Sequence, residues 1–173
     1  MGQTVDSKKI ILSNGVLLGL ITIAIAVIMY VTGLVYTYNW VSGVVGFLVM
    51  IAFIVLGMST FKKENTYLSL SQALKIGIGI SLIAGILGAL YQFVFFNYID
   101  PEFMAKVLEN SRHQIIEQNP EVTQQQLDQI ASMQENFSSP IITAAMGILS
   151  SLFLGFIISL ISGLIMKKTE DSF

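Results

Sequence analysis

The stretch ALKIGIGISLIAGILGA, Ala73 to Ala89, decides the fold of this chain. It is apolar except for Lys75 near its start and Ser81 at its middle, and it sets Ala73, Gly77, Ser81, Gly85 and Ala89 at strict four-residue spacing. Residues four apart share a helix face, so a helix here carries one continuous ridge of small side chains. Such a ridge has meaning in lipid. Lipid tails are as apolar as leucine, so helices there associate by close packing, which small residues permit. The last apolar run repeats the pattern with Gly147, Ser151, Gly155, Ser159 and Gly163. The simplest reading packs the two ridges against each other as an antiparallel pair. Gly15 with Gly19, and Ser42 with Gly46, make shorter versions in the first two apolar runs. All are read as packing surface, a pore lining or a dimer face being the other readings.

Composition supports a membrane setting. Of the 173 residues, 54% are hydrophobic and only 12% charged, where soluble domains carry about 25% charge, and the mean hydropathy is +0.74. The absence of cysteine excludes disulfides, thiol catalysis and thiolate metal sites. The whole-chain net charge of −2 argues for neither a nucleic-acid nor an anionic-lipid partner, the distribution of charge along the chain being the informative part.

A bilayer core of about 30 Å needs about 20 helical residues. Four segments qualify, at 10–36, 41–61, 73–98 and 141–166. None contains Asp, Glu or Arg, and Lys75 lies close enough to its span's end to snorkel. The first span follows Lys8 and Lys9 as a signal peptide would. It is longer than an h-region of about 7 to 15 residues and offers no A-x-A-like cleavage site, so it is expected to be retained. Asp6 also breaks the myristoylation pattern.

Lys8, Lys9, Lys62, Lys63, Lys75, Lys167 and Lys168 fall on one side of this layout, and Lys106 and Arg112 on the other. By the positive-inside rule, the tails 1–9 and 167–173 and the turn 62–72 are expected in the cytoplasm, and the turn 37–40 and the segment 99–140 outside. Tyr36, Tyr38, Trp40, Tyr91 and Tyr98 suit an aromatic belt at the outer interface.

The segment 99–140 is polar, with seven acids from Asp100 to Glu135 against two bases. Asp100 as N-cap, Pro101 at the first helical position and Glu102 in the first turn predict a helix ending near Asn119, before Pro120. Thr123 and Gln126 have capping-box spacing, and Val122 with Leu127 that of a hydrophobic staple, so a second helix is predicted after them. Both have apolar stripes: Met104, Val107, Leu108 and Ile115 on the first, Leu127, Ile130, Ala131 and Phe137 on the second. The acidic balance disfavours lying on anionic lipid, so a cap over the bundle or a partner surface is expected, with Glu109, Arg112, His113, Glu117 and Asp128 as the candidate interaction surface.

Signals for chemistry are few. No ionisable group lies near the membrane midplane, where a proton relay would need one. Gln92 is the notable polar group there, read as an interhelical hydrogen bonder or, secondly, a substrate contact. His113 is the sole histidine. With Glu109 and Glu117 four residues to either side it is read as a solvated surface side chain, with pH sensing and an adventitious metal ligand as alternatives. GIGISL has Leu82 where a dinucleotide motif needs its third glycine, and the sequon at Asn136 to Ser138 lies almost against the last span. No catalytic residue, cofactor or metal follows.

LSLSQALKIG before the third span, FNYIDPEF at its exit, and a polar helical segment before a final glycine-rich span ending in two lysines resemble the domain of unknown function 4199 family. The resemblance covers essentially the whole chain and implies a small bacterial inner-membrane protein. The expected architecture is an all-α integral membrane protein, with four spans in two antiparallel hairpins and two amphipathic extramembrane helices between spans three and four. The expected function is non-enzymatic, structural or interaction-based, with membrane lipids and either a homo-oligomer or a membrane or periplasmic protein as partners. A small transporter or channel, and a membrane sensor, are the alternatives.

Overall fold

The computed structural model describes residues 6–37, 39–137 and 139–168, and only the backbone of residues 36, 37, 39, 42 and 134–137. Tyr38, Ser138 of the sequon and both tail ends therefore lie outside the described residues, as do the side chains of Tyr36, Ser42 and Phe137. The described residues are helical, with no strand beyond one isolated bridge. In chain order the helices are α1 (Ser7–Val31), α2 (Leu34–Thr37), α3 (Asn39–Asn65), α4 (Leu70–Val94), α5 (Phe103–Gln118), α6 (Gln124–Phe137) and α7 (Pro140–Met166). A π-helical turn, Phe95–Ile99, continues α4. Four segments are long and apolar enough to cross a membrane: Ser7–Val31, Gly43–Asn65, Leu70–Ile99 and Pro140–Met166. This is the pattern of a multi-pass membrane protein.

Local chemistry sets the helix ends. Asp6 accepts the Lys8 N–H at 3.0 Å and starts α1. The first span is not one helix to Tyr36, because α1 stops at Val31 and Gly33 takes a left-handed φ of 72° before α2. Between α3 and α4 the chain turns through Thr66, whose φ of 67° is unusual for a β-branched residue. α4 then opens on a capping box: Ser69 N–H donates to Gln72 Oε1 at 2.8 Å, and Gln72 N–H to Ser69 Oγ at 3.2 Å.

The chain divides into two compact units, Met1–Gly88 with Gly147–Phe173, and Ala89–Met146. The first has a core of Leu18, Ile54, Met58, Ile76, Ile80 and Ile158, all nearly inaccessible. Its outward faces are apolar too, with Leu20, Ile28, Leu56, Phe153 and Ile165 exposed, which suits lipid rather than water. α4 is the hub. On α1, Gly15 lies against Ile83 and Gly19 against Leu87, while Ile11 fills the space beside Gly79. On α3, Gly57 lies against Ile80. Gly46, expected to notch the second span, has nothing within 4 Å of where its side chain would be; Gly57 takes that role.

The second unit holds the π turn, α5 and α6. Asp100 N–H bonds Phe95 O at 2.9 Å, the five-residue step that closes the π turn. The expected helix start at Asp100 and Pro101 falls later. Residues 101 and 102 form a turn, and α5 begins at Phe103. The Asp100 carboxylate, 8% exposed, instead receives Lys106 Nζ at 3.0 and 3.2 Å. Phe95 packs edge-on against Phe103 at 5.2 Å between ring centroids, and Phe96 stacks on Phe103 at 5.9 Å.

Candidate functional site

Two arrangements are candidates, a seam of small residues in the first unit and a helical pair in the second. In the seam, positions step down α7 as they step up α4. Gly163 meets Ala73, and a Cβ there would lie 2.8 Å from the Ala73 Cβ. Gly77 meets Ser159, whose Cβ would be 2.8 Å away. Gly155 meets Ser81 at 2.5 Å by the same measure, and Gly85 meets Ser151 at 3.2 Å. Gly77 and Gly155 thus accept a serine from the other helix where any Cβ would collide.

The hydroxyls are satisfied within this seam. Ser81 Oγ donates to Gly77 O at 2.8 Å, Ser159 Oγ donates to Gly155 O, and Ser151 Oγ crosses to Ser81 O at 2.8 Å. Ser81 and Ser159 are fully buried. A buried hydroxyl without a partner would carry a heavy desolvation cost. Bonding the carbonyl one turn back removes it and leaves a compact, effectively apolar knob. Of the remaining ridge residues, Ala89 and Gly147 fall at the division between the units, the first half-buried and the second exposed.

In the helical pair, α5 and α6 pack on each other. A gap of about 230 Å³ between them is lined by Ala105, Leu108, Ile115, Leu127, Ile130 and Ala131, with Glu109 and Arg112 also contributing. Leu127 is the buried anchor at 6% exposure. Thr123 N–H donates to Gln126 Oε1 at 2.9 Å and Gln126 N–H to Thr123 Oγ1 at 3.3 Å, so both halves of the capping box form. Glu109, Arg112, His113, Glu117 and Asp128 are all exposed. His113 Nε2 stands 3.4 Å from Glu109 Oε1, an exposed contact of small energetic weight. Asp128 accepts Gln124 Nε2 at 3.1 Å. Among the described residues no three His, Cys, Asp or Glu side chains gather as metal ligands would.

Gln92 is half-buried in the final turns of α4, and its Oε1 is enclosed with no hydrogen-bond partner among the described residues. The interhelical bond expected of it is therefore not made by that oxygen. Two features were not anticipated from sequence. One is the Ser69–Gln72 capping box, whose S-x-x-Q spacing is readable in LSLSQ. The other is a clasp where α3, α4 and α7 meet: Lys62 Nζ donates to Met166 O at 2.8 Å, and Leu68 and Lys168 exchange backbone bonds of 3.0 Å each. No sequence pattern announces the clasp, because its partners lie about a hundred residues apart.

A family model described as "Protein of unknown function (DUF4199)" matches residues 13–168. No curated protein and no solved structure matches the chain.

Proposed function

The chain belongs to the DUF4199 family of proteins of unknown function, and we propose that it is a non-enzymatic structural or interaction protein of the bacterial inner membrane that uses an acidic helical headpiece outside the membrane. On this reading both termini and the α3–α4 turn are cytoplasmic, and residues 99–140 are outside. α1 pairs with α3 and α4 with α7 as two antiparallel hairpins. The partners are membrane lipids and a second copy, or a membrane or periplasmic protein.

The observation that carries this reading is the α5–α6 pair. Leu108 and Ile115 of α5 and Leu127, Ile130 and Ala131 of α6 line the gap between the helices, while Glu109, Glu117 and Asp128 are exposed. Leu127 anchors the pair, α5 has no buried residue, and Ile116 and Met133 are exposed beside the acids, so the pair offers a partner both apolar and acidic surface. The lysine distribution supports the orientation.

Absence of native cysteine makes topology directly measurable. Glu121→Cys in whole cells should react with a membrane-impermeant maleimide, and Lys63→Cys only after lysis; the reverse pattern sinks the orientation. Replacing Glu102 to Gln134 by a short Gly/Ser linker should change oligomer size or retained partners in native mass spectrometry. An unchanged spectrum removes the interaction role. Transport is the second reading and draws on the enclosed, unpartnered Gln92 Oε1. Proteoliposome flux of a metabolite that falls in Gln92→Leu would replace the first reading.

A further inference from the structure

Among its described residues, the clasp end of the first unit has more lysines than carboxylates. Lys62 is committed to the Met166 carbonyl, and Lys168 Nζ lies 5.8 Å from the Tyr67 ring centroid. The contacts of Gly163 with Ala73 and Leu70 bring the last turns of α7 against the start of α4. Around this fixed framework Lys63, Lys75 and Lys167 are exposed, as are Lys8 and Lys9 on α1, whose Ile10 packs near Gly57 of α3. The described carboxylates on these segments are Asp6, which accepts the Lys8 N–H, and Glu64. Among the described residues no ion pair joins either of them to a lysine.

Ammonium groups at this density beside membrane spans attract anionic headgroups. Lysine, a compact point charge on a flexible stem, suits a phosphate whose orientation varies. One turn or less from Lys167, Leu164 and Ile165 are exposed, the latter at 79%, so an apolar wall for an acyl chain adjoins the charge. We infer that the α3–α4 turn and the end of α7 form a binding surface for the headgroup of an anionic phospholipid, with the phosphodiester against Lys63 and Lys167, the sequence neighbours of the bonded Lys62 and Met166. The clasp is the fixed part of this surface: it holds the turn and the α7 end in register, so that charges about a hundred residues apart in sequence act on one lipid. The surface depends on the membrane-spanning character of the chain and is independent of the headpiece's role.

The test is a thermal melt of the purified full-length chain in detergent, with added dioleoyl phosphatidylglycerol or dioleoyl phosphatidylcholine. The anionic lipid is expected to raise Tm by about 5 °C, as saturation of a site present only in the folded state would, and the zwitterionic lipid to leave it unchanged. Lys63→Gln and Lys167→Gln together should abolish the rise without lowering Tm in phosphatidylcholine, and the corresponding Arg double should keep it. Should the Gln double not fold, Lys63→Gln and Lys167→Gln singly are each expected to lose part of the rise. An equal response to both lipids, a full response in the Gln variants, or its loss in the Arg double overturns the proposal. An equal rise with inorganic phosphate also overturns it, by assigning the lysines to a free anion.

Discussion

The α4–α7 seam and the α5–α6 pair solve the same problem, holding two helices together, by opposite means. The seam uses residues with almost no side chain, and its contacts are between a serine of one helix and the glycine notch of the other. The pair uses larger apolar side chains around Leu127, with Glu109 and Arg112 at the edge of the gap they line. The difference follows from the solvent each composition suits. In water, burying a leucine is favourable by itself. In lipid that gain vanishes, and only the close fit and the satisfied hydroxyls remain.

The sharpest way to break the contrast is Gly155→Leu. The seam has no room for even a Cβ beside Ser81, so overpacking should cost about 3 kcal/mol, read as a lowered melt in detergent or loss of folded protein. An unchanged melt would mean the helices do not approach as closely as the contacts require. In the headpiece, Leu127→Ala should cost about 2 kcal/mol, read by hydrogen exchange as lost protection across α5 and α6, with protection of α4 at Gly77 retained. Uniform loss in both regions would show that they do not fold as separate units.

Two smaller changes sharpen the comparison within the bundle. Ser151→Ala removes the hydrogen bond that crosses to Ser81 O and should cost about 0.6 kcal/mol, the usual worth of such a bond between membrane helices. A double-mutant cycle with Ser81 isolates that value. Gly88→Ala should go the other way, a gain of about 0.5 kcal/mol, because nothing lies within 4 Å of the added methyl. A loss there would reveal a contact made by another copy.

The spans and the ridges were legible because both depend on local patterns, apolar length and four-residue spacing. The capping boxes at Ser69 and Thr123 are equally open to reading, since both show the S/T-x-x-Q spacing. Boundaries were less legible where a tertiary partner competes for a local signal. Asp100 looks like an N-cap, yet Lys106 occupies its carboxylate and α5 starts at Phe103. The π turn has no compositional mark, since it differs from an α turn by one inserted residue. Gly46 and Gly57 look alike in sequence, and only the packing tells that Gly57 is the notch.

The bridge between Leu68 and Lys168 also makes the intervening chain a closed loop, with both halves of the clasp as its neck. For a loop already about a hundred residues around, further length costs little closure entropy, about 0.6 kcal/mol for each doubling. The residues between α4 and α7 can therefore be lengthened, shortened or exchanged with almost no penalty to the neck. Sequence drift within such a loop is free to retune what the chain presents while the part that holds it stays the same.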